Sequence, residues 1–152
     1  MTSAARVSEA VIRAPESWSG PVPAQEDWTS PYWEVLRRHK MSIQRCVKCR
    51  IWHHPPVIAC PACGSDDLAF EPVSGRGTVY SVTVCHREFG LRFGVPWVAA
   101  YVELEEGPRV ATNLVNTTPA EVAIGQSVSV VYQDYDDLDL TLAFFEPSGG
   151  GR

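Results

Sequence analysis

The sequence has no apolar run close to the roughly 20 residues that a membrane-spanning helix needs, which excludes helical passage through a bilayer. Its first residues carry no continuous apolar stretch of the kind a secretory signal uses, so the expectation is a cytoplasmic protein. It lacks the Gly-x-Ser-x-Gly elbow of many hydrolases and any Gly-rich phosphate loop. It is also short of positive charge. There are 13 Lys and Arg against 18 Asp and Glu, a net charge of −5, and the deficit is uneven. Residues 1–65 balance to +3, and residues 66–152 to −8. An acidic second half suits a polyphosphate backbone badly, which argues against a nucleic-acid-binding module. The 45% hydrophobic and 20% charged residues are ordinary for a globular chain, and 152 residues allow one domain or two very small ones. No internal repeat is present.

What the sequence does have is two tight cysteine pairs. Cys46-Val47-Lys48-Cys49 and Cys60-Pro61-Ala62-Cys63 are ten residues apart. Each pair brings two thiolates onto one short turn, and the interval lets both pairs face one ion. Zinc favours four sulfur ligands at about 2.3 Å in such a closed tetrahedral site. Paired cysteines without an export signal favour metal over disulfides. A closed site leaves no position for substrate or water, so the metal reads as structural. His53 and His54 lie between the pairs, but four thiolates already suffice. Iron in the same site, as in an electron carrier of the rubredoxin kind, is the rival reading, and colour separates the two. Gly64 supplies the left-handed residue that the second knuckle needs.

The remaining signals predict a mainly β protein. Residues 1–27, broken by Pro15, Gly20, Pro21 and Pro23, read as an extended arm. It is either a disordered tail or an arm that anchors on a partner through Trp18 and Trp28. Residues 28–41 predict an N-terminal helix, capped by Ser30 with Pro31 in its first turn. Its apolar face is Tyr32, Val35, Leu36 and His39, with Glu34 spaced to pair with Arg37 or Arg38. Residues 42–72 form the zinc ribbon, of rubredoxin-like type. Residues 73–147 predict a five-stranded barrel. Strand one places Tyr80, Val82 and Val84 on one face. Strand two alternates Val98, Ala100, Val102 and Leu104. Glu106-Gly107-Pro108 is a turn, and strand three turns Val110, Thr112 and Leu114 inward. Thr118-Pro119-Ala120-Glu121 has the capping-box pattern and predicts a helix of one or two turns ending at Gly125. Val128, Val130 and Tyr132 alternate in strand four. Asp134, Asp136, Asp137 and Asp139 make a solvated turn, and Leu140–Phe145 is strand five. Three strands, a short helix and two strands is the order of the OB-fold. Residues 148–152 read as a flexible tail.

The chain resembles a family of zinc-ribbon/OB-fold proteins associated with acyl-CoA metabolism, over roughly residues 28 to 146. Several segments carry the resemblance: Pro31-Tyr32-Trp33, Gln44-Arg45 before the first cysteine pair, Pro55-Pro56, and Cys60 to Gly64. Ser74-Gly75-Arg76-Gly77-Thr78-Val79-Tyr80-Ser81, Pro96 to Glu103 and Glu106 to Arg109 complete it. The resemblance implies an accessory subunit of a thiolase-superfamily enzyme, such as a thiolase, an acyltransferase or a lipid-transfer-type steroid side-chain aldolase. In it the thiolase-like partner supplies the catalytic residues and this chain stabilises it and helps hold or channel acyl-CoA. A coenzyme A phosphate wants Arg or Lys. Arg37, Arg38, Lys40, Arg45, Lys48 and Arg50 are the one basic patch, with a solvated face, charge balance for the zinc centre and a partner surface as the other readings. The segment from Arg87 to Trp97, with Phe89, Leu91, Phe93 and Trp97, is either a partner or acyl-CoA rim or a lid folded on the barrel. No residue is expected to be catalytic. Cys85 and His86 are adjacent in a strand and point to opposite faces, and Cys85 reads as a small buried thiol.

Overall fold

A computed structural model describes residues 10–88 and 94–149. One helix, α1 (Ser30–Arg37), is followed by a three-stranded antiparallel sheet of β1 (Met41–Cys46), β2 (Trp52–His53) and β3 (Leu68–Val73), in the order β2-β1-β3. A closed barrel then follows, built from β4 (Arg76–Cys85), β5 (Trp97–Leu104), β6 (Arg109–Leu114), β7 (Ser127–Tyr135) and β8 (Leu140–Pro147). Its neighbour order is β4-β5-β6-β8-β7, with β7 returning to β4. That is the Greek-key closure of an OB-fold. Among the described residues no helix is long and apolar enough to cross a membrane.

The barrel core follows the two-residue period of its strands. Val98, Ala100, Val102 and Leu104 of β5 are buried, as are Val110 and Leu114 of β6, Val128 of β7 and Phe145 of β8. Each of the valine, leucine and phenylalanine side chains, fully buried, contributes about 1.5–3 kcal/mol. The parallel contact that shuts the barrel is small: Leu114 pairs with Phe145, and the Val115 N–H donates to the Phe145 carbonyl at 2.8 Å. The ribbon does not sit apart, because Met41 and Ile43 of β1 belong to the same core cluster as the barrel valines.

Four expectations are corrected. Strand one does not keep a single inward face: the register with β5 shifts between Val79 and Ser81, so Val79 is buried while Tyr80 is exposed. The bulge hands the inward face from Val79 to Val82 and Val84. Thr118–Gly125 contains no helix. The capping contact exists, with Glu121 Oε2 accepting from the Thr118 hydroxyl at 2.8 Å and its N–H at 3.1 Å. The Gly125 N–H, however, is drawn to the Val79 carbonyl at 2.8 Å, and a stretch this short does not overcome helix nucleation. Ser30 does not cap α1. Its hydroxyl donates to the Asp27 carbonyl at 3.1 Å, and Thr29 is the boundary residue. His39 lies past the helix, in the left-handed region at φ 53°.

The arm and tail are also more engaged than their composition suggests. Ile12 is buried, exchanges backbone hydrogen bonds with the strand-like segment at Asn116 and Thr117, and joins the core cluster. Trp18 packs on Tyr135 with ring centres 5.9 Å apart, and the Tyr135 hydroxyl donates to the Pro15 carbonyl at 2.8 Å. Trp18 thus anchors the arm to its own barrel. The Ser148 N–H donates to the Ser127 carbonyl at 2.9 Å. Residues 1–9 of the arm and 150–152 of the tail lie outside the described residues.

Two contacts latch α1 and the residue just past it to the end of β7 and the turn that follows. Arg37 pairs with Asp139 at 3.2 Å, turning away from Glu34. His39 Nε2 meets Asp134 Oδ2 at 2.8 Å, and its ring stacks on Tyr132. Asp134 Oδ1 accepts from the Thr141 hydroxyl at 2.8 Å. That bond, and then the His39 contact, hold the Asp134 carboxyl below its ordinary range. A carboxyl lowered by folding stabilises the fold above its unfolded pKa, and the contribution fades as pH falls through the folded one. Asp134→Asn is therefore expected to lower stability at neutral pH and to flatten the acid limb of stability against pH below about 4, read by denaturant titration across pH. A Cβ on Gly75, at φ +72°, would lie 2.2 Å from Val130 Cγ1. Gly75→Ala is expected to cost about 2–4 kcal/mol, from left-handed strain plus overpacking, in the same measurement.

Candidate functional site

Two hairpin knuckles bring the cysteines together. At the first, the Arg50 N–H returns to the Cys46 carbonyl at 3.0 Å, with Arg50 at φ 66°. At the second, the Gly64 N–H returns to the Cys60 carbonyl at 2.8 Å, with Gly64 at φ 74°. Both turns are closed by a left-handed residue one position after the second cysteine, and only the second is glycine. The four Sγ atoms of Cys46, Cys49, Cys60 and Cys63 all lie within 4.8 Å of one another. Cys46 and Cys63 approach to 3.6 Å and Cys49 and Cys60 to 3.5 Å. A tetrahedron with bonds of about 2.3 Å has edges of about 3.8 Å, so the donor set fits a four-sulfur zinc site. His53 and His54 stay outside it.

Local electrostatics divide the thiols. The Cys49 N–H, pointing at Cys46 Sγ, holds the Cys46 thiol down to about 6. The Ile51 backbone favours the Cys49 thiolate, but burial and the sulfurs of Cys60, Cys46 and Cys63 push Cys49 up to about 12. Four crowded thiols cannot all ionise without a cation, and a divalent ion removes that conflict.

Around this centre the basic patch splits in two. Arg45 lies over the Trp52 ring at 4.4 Å and pairs with Glu71 at 3.3 Å. Arg50 pairs with the other oxygen of Glu71 at 2.7 Å. Arg37 is held by Asp139 and Gln25. These three cations are spent within the chain. Arg38, Lys40 and Lys48 are exposed, with no ion pair among the described residues. Trp97 is buried at the start of β5, and its Nε1–H donates to the Arg87 carbonyl at 3.1 Å. Phe89, Leu91 and Phe93 lie outside the described residues. Cys85 is only half-buried, and His86 is exposed.

Sequence reasoning missed an aromatic cluster where α1 meets the ribbon. Tyr32 packs edge-on against Trp33 at 5.0 Å and tilts toward His54 at 6.1 Å and Phe70 at 6.4 Å. Burial, then the nearby Tyr132, pushes the Tyr32 phenol up to about 12. Burial lowers the His54 pKa, disfavouring the charged imidazolium. Tyr32, Trp33 and His54, with Pro55, Pro56, Trp28 and Glu26, border a groove of about 400 Å³. The signal was two adjacent aromatics at the helix start, one more than a single helical face uses.

Comparison with known proteins follows the two structural units. Residues 33–69 match the model described as ChsH2, rubredoxin-like zinc ribbon domain, and residues 70–133 the model described as ChsH2, C-terminal OB-fold domain. A probable enoyl-CoA hydratase alpha subunit of Thermomonospora curvata is 38% identical over 84% of this chain. The 3-oxo-4,17-pregnadiene-20-carboxyl-CoA hydratase alpha subunit of Mycobacterium tuberculosis is 38% identical over 78%. The chain spans only 40% and 38% of those two relatives. It is also 34% identical to a DUF35 domain-containing scaffold protein of Methanocaldococcus jannaschii, over 74% of this chain and 85% of that one. Among solved structures, a chain of the Ltp2-ChsH2(DUF35) aldolase is 38% identical, with a TM-score of 0.73 over 83% of this chain and 98% of that one. This chain belongs to the DUF35 family, and it carries the zinc ribbon and OB-fold domains described for ChsH2.

Proposed function

We propose that this chain is a non-catalytic subunit of an acyl-CoA enzyme, stabilising a thiolase-like, lipid-transfer-type catalytic partner and helping it hold acyl-CoA. The observation that carries the reading is the likeness to almost the whole of one chain of a two-component aldolase. The scaffold name of the archaeal relatives and the subunit names of the bacterial hydratases point the same way. The ribbon's metal is a structural zinc. Its four sulfur donors leave an ion no open coordination position, so chemistry on a thioester falls to the partner.

Within the basic patch, Arg38, Lys40 and Lys48 are the side chains free to meet a coenzyme A phosphate or an acidic partner. Arg37, Arg45 and Arg50 serve the fold. The segment carrying Phe89, Leu91 and Phe93 remains the second contact candidate, and Trp97, buried at the start of β5, follows it in the chain.

Purified chain is expected to carry about one zinc per molecule and to be colourless, by elemental analysis and absorbance. Cys60→Ser is expected to lose the metal and most soluble yield, because binding and folding of such a site are coupled. Iron in the site, or a metal-free chain of unchanged stability, contradicts the zinc reading. Affinity capture from the native host is expected to bring down a thiolase-like enzyme, while the isolated chain turns over no acyl-CoA. A monodisperse monomer that stabilises no such enzyme, or turnover by the chain alone, contradicts the subunit reading.

A further inference from the structure

The aromatic groove at the junction of α1 and the ribbon is not used by the zinc centre or by the basic patch. We propose that it docks an extended, proline-containing segment of a partner polypeptide that carries a basic side chain beside the proline. The floor and walls are Trp28, Tyr32, Trp33, His54 and Pro55, with Glu26 at the rim. The volume, about 400 Å³, lies in the range of functional clefts.

Three features choose this occupant. The first is ring geometry. Tyr32 and Trp33 meet at 79°, and Tyr32 and His54 at 51°. Rings at such angles form ridges and furrows, which accept proline rings. Polyproline-type segments dock in aromatic-lined grooves of this kind and lose little entropy doing so. The second is preorganisation. Trp28 is exposed, yet its Nε1–H donates to Glu26 Oε2 at 2.5 Å. The Glu26 carbonyl accepts from the N–H groups of Thr29 and Ser30 at 2.8 and 2.9 Å. The ring face is thus fixed before anything binds. The third is unspent polarity. Glu26 has no cation partner among the described residues and keeps Oε1 for a guanidinium or ammonium. Burial lowers the His54 pKa and so disfavours a positive charge that would oppose a basic ligand.

The test uses the zinc-loaded full chain and tryptophan fluorescence, with calorimetry as the second readout. The probe is the acetylated peptide Arg-Ala-Leu-Pro-Pro-Leu-Pro, against versions with every proline replaced by alanine or the arginine by glutamate. Adenosine is a separate probe. Saturable binding of the first peptide is expected, weakened at least about tenfold by the alanine version and by Trp28→Ala, as for loss of an interface anchor. Glu26→Gln is expected to weaken binding several-fold and to remove most of its salt dependence. Circular dichroism and zinc content report that each variant is folded. Several results overturn the proposal: no saturation at millimolar peptide, equal binding of the alanine version, or binding untouched in a folded Trp28→Ala protein. Saturable binding of adenosine without peptide binding overturns it in favour of a small-ring ligand.

Discussion

Four sulfurs within 4.8 Å of one another are the constraint on which the first half of this structure depends. The sheet they close has one strand of two residues and two of six. A unit of that size cannot bury enough apolar surface to fold on its own strength. A cation shared by four thiolates replaces the missing core. It fixes the two knuckles, and through them the position of β2 and of the His54-Pro55-Pro56 turn. Gln44 then ties that turn to β1, with its amide bonded to the Val57 carbonyl at 3.0 Å and its oxygen to the Val57 N–H at 2.8 Å. The aromatic groove is built on that turn, so it inherits its shape from the metal site.

The barrel is held by different forces. Its strands close through long antiparallel ladders and one short parallel contact, and its interior is mainly valine and leucine side chains with Phe145, packed to low exposure. Gly77 shows how tightly the ladders approach: a Cβ there would lie 2.3 Å from the Glu103 carbonyl oxygen. The two units still behave as one body, because Met41 and Ile43 share the barrel core while Arg37 and His39 grip the β7–β8 turn. A partner that meets the ribbon therefore also reads the barrel's orientation.

The metal ligands and the five-stranded order were legible because their signals are local. Two Cys-x-x-Cys pairs and alternating valines state their own geometry. The face of Val98, Ala100, Val102 and Leu104 lies as their alternation predicts. The inward face of β4 was misread at Tyr80, since a bulge changes register without changing composition. The helix expected after Thr118 was misread because its cap is real while its continuation loses to a long-range bond at Val79. Asp134 and Asp139 looked like solvated acids, and their roles come from His39 and Arg37, about a hundred residues earlier in the chain. Trp18 was ambiguous for the same reason: nothing near it in sequence says which surface it covers.

A metal at the four sulfurs organises residues 41–73, and the barrel folds without depending on it. Hydrogen exchange with and without a zinc chelator measures this most directly. Protection is expected to collapse over β1, β2, β3 and the Tyr32–His54 contact, while β5 to β8 keep theirs. Unchanged protection of the ribbon after complete metal removal would contradict it, as would simultaneous loss over the whole barrel.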